Sequence, residues 1–378
     1  MNRKVVITAA HTLSRSDLEE HGIVADAPAS PAISSIPDAL VEISSPIGER
    51  LKRKIDGFCR KGLAVANRAI IDSRVLENEH DLARIGIYVG NCLGGWGYIE
   101  EEVRCLHHQG VSAMGPYVAT AWFPAALQGQ ISLHYGFRGH SKTFSAFDVS
   151  GVQAFAYAAQ AIALGLADAV ICCASEDLSS PFVRRVLEET ATRGWPASPA
   201  FGPRRALSGT EGAAAFVLEE RQHALARGAP ILCEIVGFCD RFVKSGNQIG
   251  QTLSSSVETL VHRELDPVLY VLDGRFSCER DETGRALSGR NIDAWLIDVS
   301  AFVGEQFSVG GLMEAAIVAR ALQDRRLSAS TFGQPDDRPC SQAVIQRLSA
   351  AGNLAAIGFR GAGGRLNQHD HTLRGKIK

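Results

Sequence analysis

Short apolar runs alternate along this chain with longer stretches whose apolar residues recur at helical spacing. Ile85 to Gly90, Ala169 to Ala174, Gly212 to Glu219, Ile231 to Phe238, Val268 to Leu272 and Ala294 to Val299 read as buried strands, as does the opening run Val5 to Ala10. Leu51, Ile55, Phe58, Leu63, Ala66 and Ile70 fall on one face and predict a helix over Pro46 to Ser73. Val152 to Leu164 lacks a charged face, so a helix there must be buried. Further helices are expected from Trp96, over Thr252 to Arg263 and over Gly310 to Leu322. Residues 11 to 50, rich in Ser, Pro and Ala, read as a long loop with at most one short helix. The chain closes with a hairpin at Leu354 to Phe359, a Gly-rich turn at Arg360 to Gly364 and a polar tail. Strand and helix alternate, which predicts an α/β protein.

At 378 residues the chain suits two fused halves, and the rhythm places them at 1–236 and 237–378, with the last ~10 residues a disordered tail. The 39 basic and 41 acidic residues nearly cancel, leaving no footprint for nucleic acid or an anionic membrane surface. Nine scattered cysteines lack metal-site spacing and read as reduced thiols of a cytoplasmic protein. The N-terminal run is too short for a signal peptide, and no apolar stretch reaches the ~20 residues of a membrane span. No metal or cofactor is called for.

Several segments carry a more specific signal. Ile85 to Gly139 contains a glycine-rich turn, Asn91-Cys92-Leu93-Gly94-Gly95, then Ile99-Glu100-Glu101 and Tyr135-Gly136-Phe137-Arg138-Gly139. Gly165 to Asp177 and Gly209 to Glu220 follow. In order and spacing these resemble the β-ketoacyl synthase family, most closely over residues 50 to 240. The resemblance implies the thiolase fold, five αβαβα layers built from two similar halves, and a dimer.

A condensing enzyme of that family needs a thiolate to take the acyl chain and two imidazoles to promote decarboxylation and stabilise negative charge. The thiol would sit at a helix N-terminus, where its pKa falls. Here the matching elbow reads Ala146-Phe147-Asp148-Val149-Ser150-Gly151, with Asp148 in the place of the cysteine. The two histidine positions match Asp273 and Glu305, and the family's lysine falls at Ser300. The family's GFGG turn, whose phenylalanine guards the pocket, matches Gly358-Phe359-Arg360-Gly361, which makes Phe359 the expected gate. Cys172 and Cys173 lie in a buried strand, unsuited to be nucleophiles, and His107, His108, His134, His223, His369 and His371 read as surface or tail residues.

Asp148 has a structural reading, the N-cap of the helix that follows. The competing reading is a carboxylate cluster of Asp148, Asp273 and Glu305 with acid-base chemistry. Three such carboxylates would raise one another's pKa values unless a cation intervened, and Arg360 is the expected cation, pairing with Asp148 or Glu305.

In type II polyketide systems the ketosynthase-like subunit without the cysteine is the chain-length factor. The resemblance therefore implies a non-catalytic subunit. Its partners would be an active ketosynthase α subunit, in a heterodimer, and an acyl carrier protein bearing a phosphopantetheine-bound acyl chain. Leu93, Trp96, Ile99, Val103, Val118, Trp122 and Phe123 would line the tunnel or the subunit interface; ordinary core packing is the alternative for each. Two other functions stay open: a malonyl-carrier decarboxylase or priming subunit using the acidic site, and a scaffold homodimer. Arg184, Arg185, Arg204 and Arg205 read as solvated surface charge.

Overall fold

The computed structural model describes residues 3–14, 33–44, 47–77, 81–193, 198, 200–202, 204–205, 209–262, 267–300, 304–327 and 338–362. The expected disordered tail, with His369 and His371, lies outside them. Ten strands form one sheet: β1 Val5–Leu13, β2 Ile85–Gly90, β3 Lys142–Phe144, β4 Ala169–Glu176, β5 Gly212–Glu220, β6 Cys233–Phe242, β7 Val268–Leu272, β8 Ala294–Asp298, β9 Gln342–Leu348 and β10 Asn353–Gly361. Their order is β8-β7-β9-β10-β6-β1-β5-β4-β2-β3, joined in the middle by antiparallel pairing of Val5 to Ile7 with Ile235 to Cys233. Outward from that seam, the first five strands run β1-β5-β4-β2-β3 and the last five β6-β10-β9-β7-β8, the same order twice. The second set begins inside β6, a strand that spans residue 237.

Eight helices of ten residues or more stand among the described residues: α1 Gly57–Ser73, α2 Trp96–Gln109, α3 Ala126–Tyr135, α4 Ser150–Ala163, α5 Pro181–Arg193, α6 Gly246–Leu260, α7 Ser277–Ser288 and α8 Gly310–Gln323. The strands alternate their side chains between two faces, and every second residue enters one layer. Val170, Cys172 and Ala174 of β4 join Leu269 and Val271 of β7 around α4 and α8, the central layer. Ile171 and Cys173 face the other way, onto α1 and α3. Tyr270 and Leu272 face Val257 and Leu260 of α6 and Leu287 of α7. The result is the five-layered α/β thiolase-like arrangement.

The helix expected from Pro46 begins instead at Gly57. Asp56 interrupts it: one carboxylate oxygen accepts from the Phe58 amide at 3.0 Å, capping α1, and the other accepts from the Tyr98 amide at 2.7 Å, capping the first turn of α2. The closing hairpin also lies elsewhere than expected. It turns at Ser349 to Gly352, between β9 and β10, so Phe359 and Arg360 belong to a strand interior. Among the described residues no helix is long and apolar enough to cross a membrane, and all nine cysteines are unbonded.

Candidate functional site

β3 ends at Phe144 and the chain turns sharply before α4. The Ala146 amide donates to Ser150 Oγ at 2.8 Å, and the Ser150 amide donates to the Phe147 carbonyl at 3.1 Å. Phe147 takes a left-handed φ of 52° within this elbow. Gly151 is needed just beyond it, because a Cβ there would stand 2.1 Å from the Ser308 carbonyl.

Asp148 is buried, with 5% of its surface exposed. It is not the N-cap of α4; that position is Val149, with no side-chain cap. Its carboxylate turns inward to Arg275 Nη1 at 2.8 Å, with Arg204 Nη2 at 3.8 Å. Arg275 follows β7 by way of Gly274, whose φ of 66° bends the loop where a Cβ would collide with the Asp298 carboxylate. Its guanidinium also reaches Glu305 Oε2 at 2.6 Å and pairs with Asp273. Arg204 donates to the same Glu305 oxygen at 2.8 Å. Behind them Arg347 of β9 lies 2.9 Å from Glu314 of α8 and 3.5 Å from Asp273. Ser300, at the lysine position, donates to the Asp273 carbonyl.

Asp148, Asp273 and Glu305 are thus brought together, but the cation that joins them is Arg275, with Arg204 and Arg347 beside it. Arg360 is not that cation. Directly opposite Glu234 across the β10–β6 ladder, it donates to that carboxylate at 3.1 Å and lies 3.5 Å from His262. Phe359, fully buried, packs edge to face on Phe155 in the central layer; a strand residue held on both sides is core rather than a gate. Arg204 also departs from its expected place on the surface, whereas Arg185 is exposed and pairs only with Glu189.

Electrostatics follow from burial. Desolvation pushes the Asp148 carboxyl toward its neutral form, but Arg275 and then Arg204 outweigh it and hold the group below its ordinary pKa. Burial disfavours charge on Arg275, yet Asp148, Asp273 and Glu305 raise its pKa well above the usual value. Nearby, burial lifts Glu279 to about 8 and Glu314 to about 7. Formally, three guanidiniums meet Asp148, Asp273 and Glu305, so the cluster closes on itself. None of the hydrogen bonds or ion pairs of these carboxylates among the described residues goes to a histidine. Burial also raises the thiols of Cys172 and Cys173, and that of Cys92 beside the site, so none supplies a thiolate.

The expected tunnel and interface residues lie in front of the elbow. Leu93, Ile99 and Val118 are half-buried, while Trp96, Val103, Trp122 and Phe123 are exposed. α2 has no buried residue along its 14 positions, and Trp96 packs on Phe182 of α5 with ring centres 5.0 Å apart. Phe147 and Val186 are exposed as well.

Sequence reasoning passed over Arg275 and Arg347 and placed Arg204 on the surface. The signal was present in charge arithmetic: Asp273 and Arg275 stand two residues apart after a wholly apolar strand, and a buried acidic group requires a cation.

Known proteins share sequence and fold with this chain. The family described as Beta-ketoacyl synthase, N-terminal domain, matches residues 35–224. The 3-oxoacyl-[acyl-carrier-protein] synthase 2 of Vibrio cholerae is 32% identical over 49% of this chain, which spans only 47% of that protein. A putative polyketide beta-ketoacyl synthase 1 of Streptomyces cyaneus is 25% identical over 83% of this chain and 80% of its own length. Among solved structures, a chain of a type II PKS acyl-carrier protein in complex with its ketosynthase bound to the hexaketide is 39% identical. That match covers 96% of this chain and 100% of that one, with a TM-score of 0.83. The ishigamide ketosynthase/chain length factor shares the fold at 15% identity, covering 96% of this chain and 100% of that one, TM-score 0.74.

Proposed function

Because the chain belongs to the β-ketoacyl synthase family yet fills its elbow with an ion-paired carboxylate, we propose that it is a chain-length factor. In this reading it is a non-catalytic subunit that pairs with an active ketosynthase in a type II polyketide synthase and shapes the tunnel that receives the growing chain from acyl carrier protein. The observation that carries the reading is the pairing of Asp148 with Arg275. The charge of a carboxylate so held is neutralised, and none of its ion-pair partners among the described residues is an imidazole that could move a proton. The exposed apolar surface around α2 gives the partner somewhere to bind. All of this takes place, on this reading, in the cytoplasm, where free cysteines stay reduced.

The test is co-expression with an intact ketosynthase and carrier protein. A one-to-one complex that extends malonyl units, beside a purified single chain that neither condenses nor decarboxylates, is the expected result. Asp148→Cys in the single chain should restore no condensation, since both imidazoles are absent. Failure to copurify with any ketosynthase, or decarboxylation by the single chain, would overturn the reading.

A further inference from the structure

Glu176, the last residue of β4, is fully buried, and its hydrogen-bond partners among the described residues carry no charge. Its Oε1 accepts from the Cys92 amide at 2.6 Å and from Ser308 Oγ at 2.5 Å. Its Oε2 accepts from the Leu93 amide at 3.1 Å and, more weakly, from Asn91 Nδ2 at 3.4 Å. The Asn91 side chain is fixed in that orientation, because its Oδ1 accepts from the Gly94 amide at 2.7 Å and its Nδ2 donates to the Ser175 carbonyl at 2.8 Å. All the partners are donors, so only a group that accepts on both oxygens satisfies them; a glutamine would turn an N–H toward one of the two turn amides. Burial lifts the Glu176 carboxyl to about 7, against Ser308 and the amides of Cys92 and Leu93, which lower it. A buried carboxylate is a costly group, and here it secures the turn.

These bonds join three segments. Cys92 and Leu93 lie in the turn between β2 and α2, Glu176 ends β4, and Ser308 belongs to the short helical turn Phe307–Val309, its carbonyl set against Gly151 of the elbow. From its other side the turn is held by the Gly95 amide, which donates to the Trp122 carbonyl at 2.8 Å. The half-buried Leu93 packs with Phe307, Leu178, Val183 and Leu187 in a small apolar cluster separate from the central layer. Loss of the Glu176 bonds would free the backbone that carries Leu93 and leads into Trp96. We propose that Glu176 is a positioning residue: its carboxylate fixes the Asn91–Gly95 turn against the elbow, and so sets where Leu93 stands and how long a product the complex releases. This rests on the tunnel-shaping role proposed above.

Glu176→Gln in the co-expressed complex tests it, read by hydrogen exchange and by the length of the product. Exchange of the Asn91–Gly95 amides should rise at least about tenfold, as the loss of one or two buried hydrogen bonds implies. The neighbouring α1 should keep its wild-type protection. Product length should shift, and Leu93→Ala, which leaves every bond of Glu176 in place, should shift it as well. Because Glu176 acts through Leu93, the double variant should change the product no more than Leu93→Ala alone. Turn exchange within about twofold of wild type, or a rise in α1 as large as in the turn, would overturn the positioning role. Faster turn exchange with an unchanged product overturns the link to product length, and so does an unchanged product in Leu93→Ala, whether or not Glu176→Gln folds. If the wild-type complex makes no product, the tunnel-shaping role falls, and exchange of the turn decides Glu176.

Discussion

The interior behind Asp148 and the surface in front of Phe147 each carry what the other would ordinarily hold. Behind the elbow, arginines and carboxylates fill a space walled by apolar strands; in front of it, tryptophan and phenylalanine rings face outward. In most folded chains such groups would be reversed. The interior arrangement pairs each of the three carboxylates with a guanidinium. The exterior one leaves apolar surface open to a second macromolecule. On the reading proposed above, the chemistry of this fold is closed down while its capacity for contact is kept.

The comparison breaks most severely at Arg275. Arg275→Met leaves Asp148, Asp273 and Glu305 without their shared cation and should cost about 3–5 kcal/mol of unfolding free energy in urea titration, the range for removing one partner of a buried pair. Arg360→Met, which removes a single cross-strand pair whose carboxylate keeps access to water, should cost clearly less.

Next in size is a pH effect. Glu279 and Glu314 ionise near 4.5 when unfolded, but in the fold burial holds their protons to about 8 and about 7. The folded chain therefore binds more protons than the unfolded one between about pH 4.5 and 8, and stability falls as pH rises through that window. Denaturation at about pH 5.5 and 8 should show the decline, and Glu314→Gln should flatten it.

Asp56 sharpens the contrast between the helix buried beneath this site and the one exposed in front of it. Thirteen of the 17 residues of α1 are buried, but none of the 14 of α2. Asp56→Ala deletes caps from both, and should cost about 1–2 kcal/mol overall. Hydrogen exchange should rise far more in α2, which has no buried residue to hold it. The smallest effect on the chain alone is expected from Trp96→Ala, about 1 kcal/mol, because the ring is 39% exposed and gives up little beyond its contact with Phe182. In the complex the same change should shift product length; an unchanged product spectrum would remove Trp96 from the tunnel.

Much of the architecture was legible in the sequence because the strands of such a layered fold are buried on both faces and read as unbroken apolar runs. The misses share a cause. β9 was hidden because Gln346 and Arg347 interrupt its run; Gln346 donates to Glu279 at 3.0 Å, and Arg347 holds Glu314. Helices α5 and α7 were hidden by their charged residues. Asp148 was found because a short motif fixes its place. Its cation was misassigned because pattern along the chain does not reveal which distant loops converge, and only strand register shows Arg360 opposite Glu234.

One feature of the sheet bears on how such a chain fares in a cell. Among the described residues the edge strand Lys142–Phe144 is hydrogen-bonded on one side only, and the charge of Lys142 gives it little protection. A copy made without a second subunit is expected to carry an open template for strand addition. On the proposed reading, surplus copies should aggregate, and the yield of folded subunit should follow the supply of its partner. Light scattering from the chain expressed alone and with a ketosynthase gives the direct comparison.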